Sequence, residues 1–234
     1  MQLSFDIIKQ CVRQYAARLD AAKVGEVLNT YVFYLAGGSL SRGTPNDFDI
    51  FSVGSTGKFN LDRIKLTCKE KGYGVVSHTQ NALTVMIGEC KVQFCNYYFA
   101  TVNELVRNFD FAHCQICAEF THNDQGTWYV DDIYYTDEWK LAKMAETTFY
   151  TGSDFPLSSL VRAGKFLAQG KYASRGQYKK DVVKIVKDVV SRGFKNRDDY
   201  IRQLESISEN LFQVEGAEEL CYLLMKEQKE EPKK

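Results

Sequence analysis

The chain has 234 residues, enough for one domain or two small ones, and its 44% hydrophobic content with three prolines is typical of folded protein. Its formal net charge is zero, so the overall charge balance gives no argument for a polyanionic partner. No apolar run approaches the roughly 20 residues that cross a bilayer. The start, MQLSFDIIKQ, lacks the charged and then apolar segments of a secretion signal. The seven cysteines are scattered, which suggests free thiols. We therefore expect a cytoplasmic protein without membrane contact.

The first hundred residues predict short strands between helices. The segment from Ser4 to Asp20 has the period of an amphipathic helix, and Leu61 to Lys71 predicts a second helix that ends at Gly72. Runs of β-formers bounded by glycines or polar residues predict the strands. These are Tyr31–Ala36, which stops at Gly37 and Gly38, then Phe48–Val53, a strand around Val75, Leu83–Ile87 and Val92–Tyr97, with a turn at Gly88 and Glu89.

The second half of the chain predicts mainly helix. From Val102 onward the pattern is helical except for a turn at 123–126 and a strand at Trp128–Tyr135. In one later helix, Ile185 and the valines between Val182 and Val190 are expected to form the buried face. We predict an α+β fold with three parts, namely a head with a mixed sheet and flanking helices at 1–136, a helical part at 137–226 and a charged tail at 227–234.

The segment LAGGSLSRGTPNDFDIF, residues 35–51, holds the main candidate site. A strand runs into two glycines, and glycine allows the backbone to approach an anion closely. Asp47 and Asp49 flank Phe48 on the next strand, so alternation places both carboxylates on one face and Phe48 on the other. Two carboxylates on one face suit Mg²⁺, which completes its coordination with water and substrate phosphates. Such metals can bridge the attacking oxygen and the leaving pyrophosphate of an in-line displacement.

The motif GGSLSRGTPNDFDIF resembles the signature of polymerase-β superfamily nucleotidyltransferases, which combine Gly-Ser, often Arg-Gly, and Asp-x-Asp. Two later segments resemble, in divergent form, motifs of the head and neck of CCA-adding enzymes and bacterial poly(A) polymerases. These segments are FDFAHCQICAEF, from Phe109, and PLSSLVRAGKF, from Pro156. The resemblance therefore covers roughly residues 30–170 and implies a polymerase-β-like nucleotidyltransferase head.

The resemblance also implies roles for individual residues. Asp47 and Asp49 would be the catalytic carboxylates that hold Mg²⁺ in a two-metal arrangement, with an NTP as substrate. The nucleotide-binding residues would be a set at the glycine turn together with two from the later motifs. These are Gly37, Gly38, Ser39 and Arg42, which would contact the triphosphate, and Asp110 and Arg162, which would organise its ribose and base end.

The sequence departs from the family at the third acid. Many members carry it on a later strand, where this chain has Gln93. An amide can offer a carbonyl oxygen to a metal, but it cannot accept a proton as a general base or neutralise cation charge. The loop between Gly38 and Asp47 is also shorter than in CCA-adding enzymes. Gln93 therefore favours the alternative of a catalytically degenerate head, which would bind nucleotide or RNA without catalysing transfer.

Positive charge is concentrated in the helical part of the chain. Residues 161–204 contain twelve Lys or Arg against four Asp. This excess can be the solvated face of a helix, or it can follow a phosphate backbone, and the parts after the neck bind RNA in the enzymes that the chain resembles. Cys114 and Cys117 lack the second pair that a structural zinc site requires, so buried thiols are expected there.

The predicted activity is the transfer of a nucleoside monophosphate from an NTP to an acceptor hydroxyl, with an RNA 3′ end as the favoured acceptor. Two alternatives remain. The first is nucleotidylation of a protein or a small molecule, because the short Gly-Ser loop is shared with such enzymes. The second is a catalytically degenerate head that binds nucleotide or RNA or serves as a scaffold.

Overall fold

A computed structural model describes residues 5–41, 47–54 and 57–211. The chain divides into two compact units between Ala145 and Glu146. No helix in these described ranges is both long and apolar enough to cross a membrane.

The first unit contains helices and strands in alternation. Its helices are α1 (Phe5–Ala16), α2 (Ala21–Leu28), α3 (Leu61–Glu70), α4 (Val102–Arg107) and α5 (Asp137–Met144). Its strands are β1 (Val32–Ala36), β2 (Asp47–Phe51), β3 (Gly74–His78), β4 (Ala82–Ile87), β5 (Cys90–Cys95), β6 (Ile116–His122) and β7 (Trp128–Tyr135). Short 3₁₀ helices occupy Gly38–Leu40 and Ala112–Cys114.

These strands form one mixed sheet in the order β3-β4-β5-β2-β1-β6-β7. Strand β2 lies between β1, with which it is antiparallel, and β5, with which it is parallel. Strands β4 and β5 form the predicted hairpin, in which Ile87 pairs with Cys90 across the turn at Gly88. Helices packed beside a mixed sheet confirm the predicted α+β fold.

The helical prediction for the segment after Val102 was wrong at β6. Residues 116–122 form a strand that pairs with β1 along one edge and with β7 along the other. Ile116, Ala118 and Phe120 lie in the main core, whereas Cys117 contacts the core on the opposite face. An apolar strand that is buried on both faces loses the polar alternation that distinguishes it from a helix.

The sheet has a hydrophobic core on each face in the described part of the chain. On one face, α1, α2 and α3 contribute to a large core that contains Phe33, Phe48 and Phe94. On the other face, Phe51 and Leu105 belong to a smaller core under α4. This second face also carries the candidate site, because residues next to each other along β2 point to opposite faces.

The second unit contains three described helices, α6 (Pro156–Ala168), α7 (Arg175–Arg192) and α8 (Arg197–Leu211). Helix α6 packs against both α7 and α8. The buried Asp181 of α7 accepts hydrogen bonds from the backbone N–H of Tyr150 (2.8 Å) and from Nε2 of Gln177 (3.0 Å). Its carboxylate therefore links the entry segment of this unit to the interior of the helix bundle.

The expected buried face of α7 was wrong. Ile185 is fully buried, but Val183, Val186 and Val190 are 54%, 44% and 76% exposed. The buried side of α7 is instead built around Asp181 and Ile185. The valines are so closely spaced in sequence that they surround the helix, and hydrophobicity alone could not show which of them face inward.

Candidate active site

The two candidate carboxylates lie on one face of β2. Asp47 is exposed and Asp49 is partly buried, while Phe48 between them is 3% exposed and belongs to the main core. Asp49 is the register partner of Ala36, which lies in the smaller core on the second face. Alternation along the strand thus gives the arrangement that the sequence predicts, with both acids on the same side.

A glycine turn at the end of β1 lies directly beside Asp49. Gly37 has φ of +88°, a conformation that side chains strongly disfavour. A Cβ added to Gly37 would lie 3.0 Å from the Phe109 ring and 3.8 Å from Oδ2 of Asp49. Glycine is therefore required both by the backbone angle and by the space that remains next to the carboxylate.

The turn continues into the 3₁₀ helix Gly38–Leu40. Ser39 is buried, and its hydroxyl lies 3.5 Å from the carbonyl oxygen of Ala36, to which it donates. Ser41 donates a hydrogen bond to the carbonyl of His113 and accepts one from Nε1 of Trp139 at 3.3 Å. These bonds fix the turn against the segment before β6 and against α5.

Gln93 occupies the position next to Asp49 on the neighbouring strand. The two residues are register partners in the parallel pair β2–β5. Nε2 of Gln93 donates to Oγ1 of Thr84 on β4 at 3.2 Å, on the side away from β2. Gln93, which stands where many family members have a third acid, therefore lies beside the carboxylate pair. Its amide group is held there by the hydrogen bond to Thr84.

Lys91 adds a positive charge to the same face, and sequence reasoning missed it. It is the register partner of Asp47, and its Nζ lies 4.0 Å from Oδ2 of Asp47. The side chains of Lys91 and Asp47 are 43% and 50% exposed, so solvent screens the pair. The sequence did not show it, because Lys91 directly precedes the predicted strand Val92–Tyr97 and its pairing with Asp47 depends on the register of β2 against β5.

Burial keeps two ionisable side chains on this face of the sheet protonated. Burial raises the pKa of the Cys95 thiol well above its usual range, and the negative charge of Asp49 raises it further, so the thiol stays protonated. Further along the same face, burial raises the pKa of Tyr34 to about 12, with a smaller contribution from Glu119. Glu119 accepts a hydrogen bond from the Tyr134 hydroxyl at 3.0 Å. The Cys95 thiol and the Tyr34 hydroxyl are therefore not proton carriers near neutral pH.

The donor set suits a divalent cation that keeps part of its water shell. No group of three or more His, Cys, Asp or Glu side chains that could hold a metal occurs among the described residues. Asp47 and Asp49, with the amide oxygen of Gln93, supply hard oxygen donors, and Mg²⁺ commonly binds through one or two carboxylates plus substrate phosphates. The residues thus fit Mg²⁺ bound together with a nucleotide and do not form a closed metal cage.

The remaining predicted residues differ in where they lie. Asp110 is buried and directly follows Phe109, whose ring packs on Gly37, so the second motif adjoins the glycine turn. Arg162 is partly buried on α6, in the second unit. Arg42 lies outside the described residues. Cys114 and Cys117 are buried thiols, as predicted.

A family model covers most of the first unit. The model of the Gabija anti-defense 2 (Gad2) family protein matches residues 6–148, which include the glycine turn, β2 and β5. The chain belongs to the Gad2 family. No curated protein matches the chain in sequence.

Solved structures similar to this Gad2-family chain include tRNA-processing enzymes. One determined with CTP is 14% identical, with 80% of this chain and 50% of that chain covered at a TM-score of 0.48. A Thermotoga maritima CCA-adding enzyme complexed with tRNA is also 14% identical, with 88% and 48% covered at a TM-score of 0.47. A CdnC:HORMA complex of E. coli MS115-1 is matched at 14% identity, with 90% and 66% covered at a TM-score of 0.30.

The Gad2-family chain is shorter than these enzymes. It spans between 50% and 58% of the first three tRNA-processing structures that it matches. The CCA-adding enzymes suggested by the sequence motifs are thus among the matched structures.

Proposed function

We propose that this protein is a Mg²⁺-dependent nucleotidyltransferase that moves a nucleoside monophosphate from an NTP to an acceptor hydroxyl. The observation that carries the proposal is the position of Asp47 and Asp49 on one sheet face, beside the Gly37 turn, where a Cβ added to Gly37 would lie 3.8 Å from Asp49 Oδ2. A phosphate chain that lies along the turn can share a cation with both carboxylates. In the transfer, the acceptor oxygen bonds to the α-phosphorus and the bond to the bridging oxygen breaks, which releases pyrophosphate.

The residues of the chain have separate tasks in this proposal. Asp47 and Asp49 hold the cation, which when bound neutralises phosphate charge and so favours the displacement. Gly37, Gly38 and Ser39 approach the triphosphate through their backbone, because Gly37 has no side chain and that of Ser39 is buried. Asp110 and Arg162, with Arg42, are proposed nucleotide contacts on the basis of the motif resemblance.

We favour an RNA 3′ end as the acceptor. Both later motifs resemble those of enzymes that act on RNA, and region 161–204 carries an excess of eight positive charges, twelve Lys or Arg against four Asp. A basic surface of this kind neutralises phosphates, so RNA affinity should fall steeply as the salt concentration rises. A protein acceptor is the second candidate, since the family name refers to anti-defence against Gabija.

The acceptor is tested by incubating the protein with Mg²⁺ or Mn²⁺, each α-labelled NTP in turn and a pool of small RNAs. Label in RNA supports the favoured proposal, and the preferred NTP narrows the substrate. Label on this protein, or on an added Gabija protein, moves the proposal to protein nucleotidylation. The Asp47→Ala/Asp49→Ala variant should incorporate no label in either case.

Gln93 favours a third possibility, a head that binds nucleotide without transferring it. We expect Gln93→Glu to increase the transfer rate about tenfold or more, because a third carboxylate would strengthen cation binding next to Asp49. The rate is measured with saturating NTP. Gln93→Met is the matched control, because it keeps the size of the side chain without its oxygen. If the wild type and Gln93→Glu both bind NTP but neither transfers it, the head is a nucleotide-binding domain and not a transferase.

Lys91 is expected to weaken cation binding at Asp47. Replacing it with Met should increase the affinity for Mn²⁺ about twofold to fivefold, because it removes a solvent-screened positive charge 4.0 Å from the carboxylate. The affinity is measured by electron paramagnetic resonance of free Mn²⁺ in a titration with a non-hydrolysable NTP. Lys69→Met, on the exposed end of α3, is the control and should leave the affinity unchanged. Equal affinities in Lys91→Met and wild type would rule out this role.

A further inference from the structure

A groove lies between the α1–α2 junction and the start of β7. Its volume of about 560 Å³ is within the range of binding clefts. One wall is built from small side chains of the two helices, namely Ala16, Ala17, Ala21 and Ala22. The other wall is the continuous run 126–130. Neighbouring residues of a strand point to opposite faces, so a continuous run can line one groove only where the groove follows the main chain.

The outer edge of β7 offers main-chain hydrogen-bonding groups to this groove. Strand β7 is the last strand of the sheet in the described part of the chain. The N–H of Asn123 donates to the carbonyl of Thr127, in the register that the β6–β7 pairs continue. Because hydrogen-bonded and non-hydrogen-bonded pairs alternate in an antiparallel ladder, Trp128 and Val130 direct their N–H and C=O groups away from β6. An added strand pairs with a sheet through such groups.

The open part of this edge is short and has a fixed wall. The Trp128 ring lies against Gly25 of α2, where an added Cβ would lie 2.2 Å from Cζ2 of Trp128. Beyond Val130 the register shifts, and Asp132 Oδ1 accepts a hydrogen bond from the Ile133 N–H at 2.8 Å. A bulge with a carboxylate closes a sheet edge to further pairing. Strand addition is therefore limited to the part of β7 that lines the groove.

The charge of the groove selects the kind of partner. Arg13 is exposed and lines the groove, and it takes part in none of the salt bridges among the described residues. Asp20 also lines the groove, but Nζ of Lys23 lies 2.8 Å from its carboxylate and balances its charge. An acidic side chain therefore complements the groove. A phosphate backbone would also suit Arg13, but it lacks the N–H and C=O groups that pair with a strand edge.

We propose that this groove binds an extended, acidic peptide segment of a protein partner, which pairs with Trp128 and Val130 as an added strand. Alternate side chains of the peptide enter the groove over the alanines, and an acidic one meets Arg13. Phe120 and Val130 line the groove and belong to the main core, on the sheet face opposite the candidate site. The inference goes beyond the proposed transferase activity and does not depend on it.

Peptide selection supplies the probe for the test. Random peptides of about twelve residues, displayed on phage, are selected against the full chain. We expect enriched peptides to carry small apolar residues at alternate positions, with one Glu or Asp in the same alternation. Amide exchange of the complex is then measured by nuclear magnetic resonance. Exchange should slow at least about tenfold at Trp128 and Val130, and change little at Tyr129, whose N–H already faces β6.

Two variants separate main-chain pairing from charge. Val130→Pro removes the outward N–H and should lower the affinity for a selected peptide about tenfold relative to Val130→Ala, which loses the side chain but keeps that N–H. Arg13→Glu, at an exposed position, should lower the affinity about threefold to tenfold, and a peptide with its acid changed to Lys should recover it. Affinities are measured by fluorescence anisotropy of the labelled peptide.

Three results would overturn the proposal. The first is a selection that enriches no peptide with the expected alternation. The second is a selected peptide that binds Val130→Pro as tightly as Val130→Ala, or that leaves exchange at Trp128 and Val130 unchanged. The third is slow exchange at both residues in the free protein together with a dimer mass in light scattering, which would assign the edge to a second copy of the chain. Since Arg13→Glu changes only a surface charge, its comparison with the charge-reversed peptide decides the case even where Val130→Pro does not fold.

Discussion

Replacing either carboxylate of β2 should abolish nucleotidyl transfer. We expect Asp47→Asn and Asp49→Asn each to lower the transfer rate about 1,000-fold or more, because each change removes a charged oxygen donor from a cation that stabilises the transition state by several kcal/mol. The amides keep the shape of the side chains, so Asp49→Asn leaves the space beside Gly37 unchanged. The rate is measured as incorporation of α-labelled NTP under single-turnover conditions.

The two variants should differ in how they bind nucleotide. Asp47 is half-exposed beside Lys91, whereas Asp49 lies deeper, between Gly37 and Cys95. We therefore expect the larger loss of nucleotide affinity in Asp49→Asn. Asp131→Asn, on the exposed side of β7, is the control and should transfer at the wild-type rate. Full activity in Asp49→Asn would exclude the proposed site.

Removing the buried carboxylate of α7 should destabilise the second unit. Asp181 is 3% exposed and accepts the Tyr150 N–H, so Asp181→Ala leaves that buried donor without its partner. Lost hydrogen bonds to a charged group and an unsatisfied donor together cost about 2–4 kcal/mol. We expect the opening free energy of α7 to fall by this amount, which corresponds to about 30-fold to 1,000-fold faster amide exchange.

Hydrogen exchange read by mass spectrometry is the suitable measurement, because both tryptophans, Trp128 and Trp139, lie in the first unit and do not report on α7. Asp188→Ala serves as the matched control, since Asp188 is on the same helix but only partly buried. Unchanged exchange in Asp181→Ala would show that the two hydrogen bonds contribute little to the stability of the bundle.

Asp181 also makes the stability of the second unit depend on pH. Burial raises the pKa of Asp181 above its usual value, and its hydrogen bonds to Tyr150 and Gln177 and the charge of Lys184 only partly oppose this. A raised pKa in the folded state means that stability is fully present below the unfolded pKa and is lost as pH rises through the folded pKa. Asp199 stays ionised in the folded state throughout this range, because its hydrogen bond with Arg192 lowers its pKa to about 2, and it opposes the trend only slightly near pH 4, where the unfolded chain begins to bind its proton. Exchange-based stability at pH 4 should therefore exceed that at pH 7, and Asp181→Asn should reduce the difference.

The sequence was sufficient where local chemistry determines the structure. The β4–β5 hairpin follows from two strands separated by Gly88 and Glu89, and the geometry of β2 follows from strict alternation around Phe48. The glycine turn was predictable because only glycine readily adopts the φ of +88° found at Gly37. These features depend on neighbours in sequence, so they need no knowledge of the tertiary fold.

The rest depends on contacts between distant segments. Strand β6 is a strand because β1 and β7 pair with it on either side, and its sequence alone resembles a buried helix. The orientation of α7 is determined by α6 and by the hydrogen bonds of Asp181, so three of its valines face solvent. The proximity of Lys91 to Asp47 required the register between β2 and β5, which no local pattern specifies.

The most direct test of the central claim compares the fate of two labels on the same NTP. The protein is incubated with Mg²⁺, the RNA pool and an added Gabija protein, and with NTP labelled at either the α- or the γ-phosphate. We predict that the α label enters an acceptor and the γ label leaves as pyrophosphate, with neither event in Asp47→Asn/Asp49→Asn. Transfer of the γ label instead, or no transfer of either label while NTP binding persists, would contradict a nucleotidyltransferase.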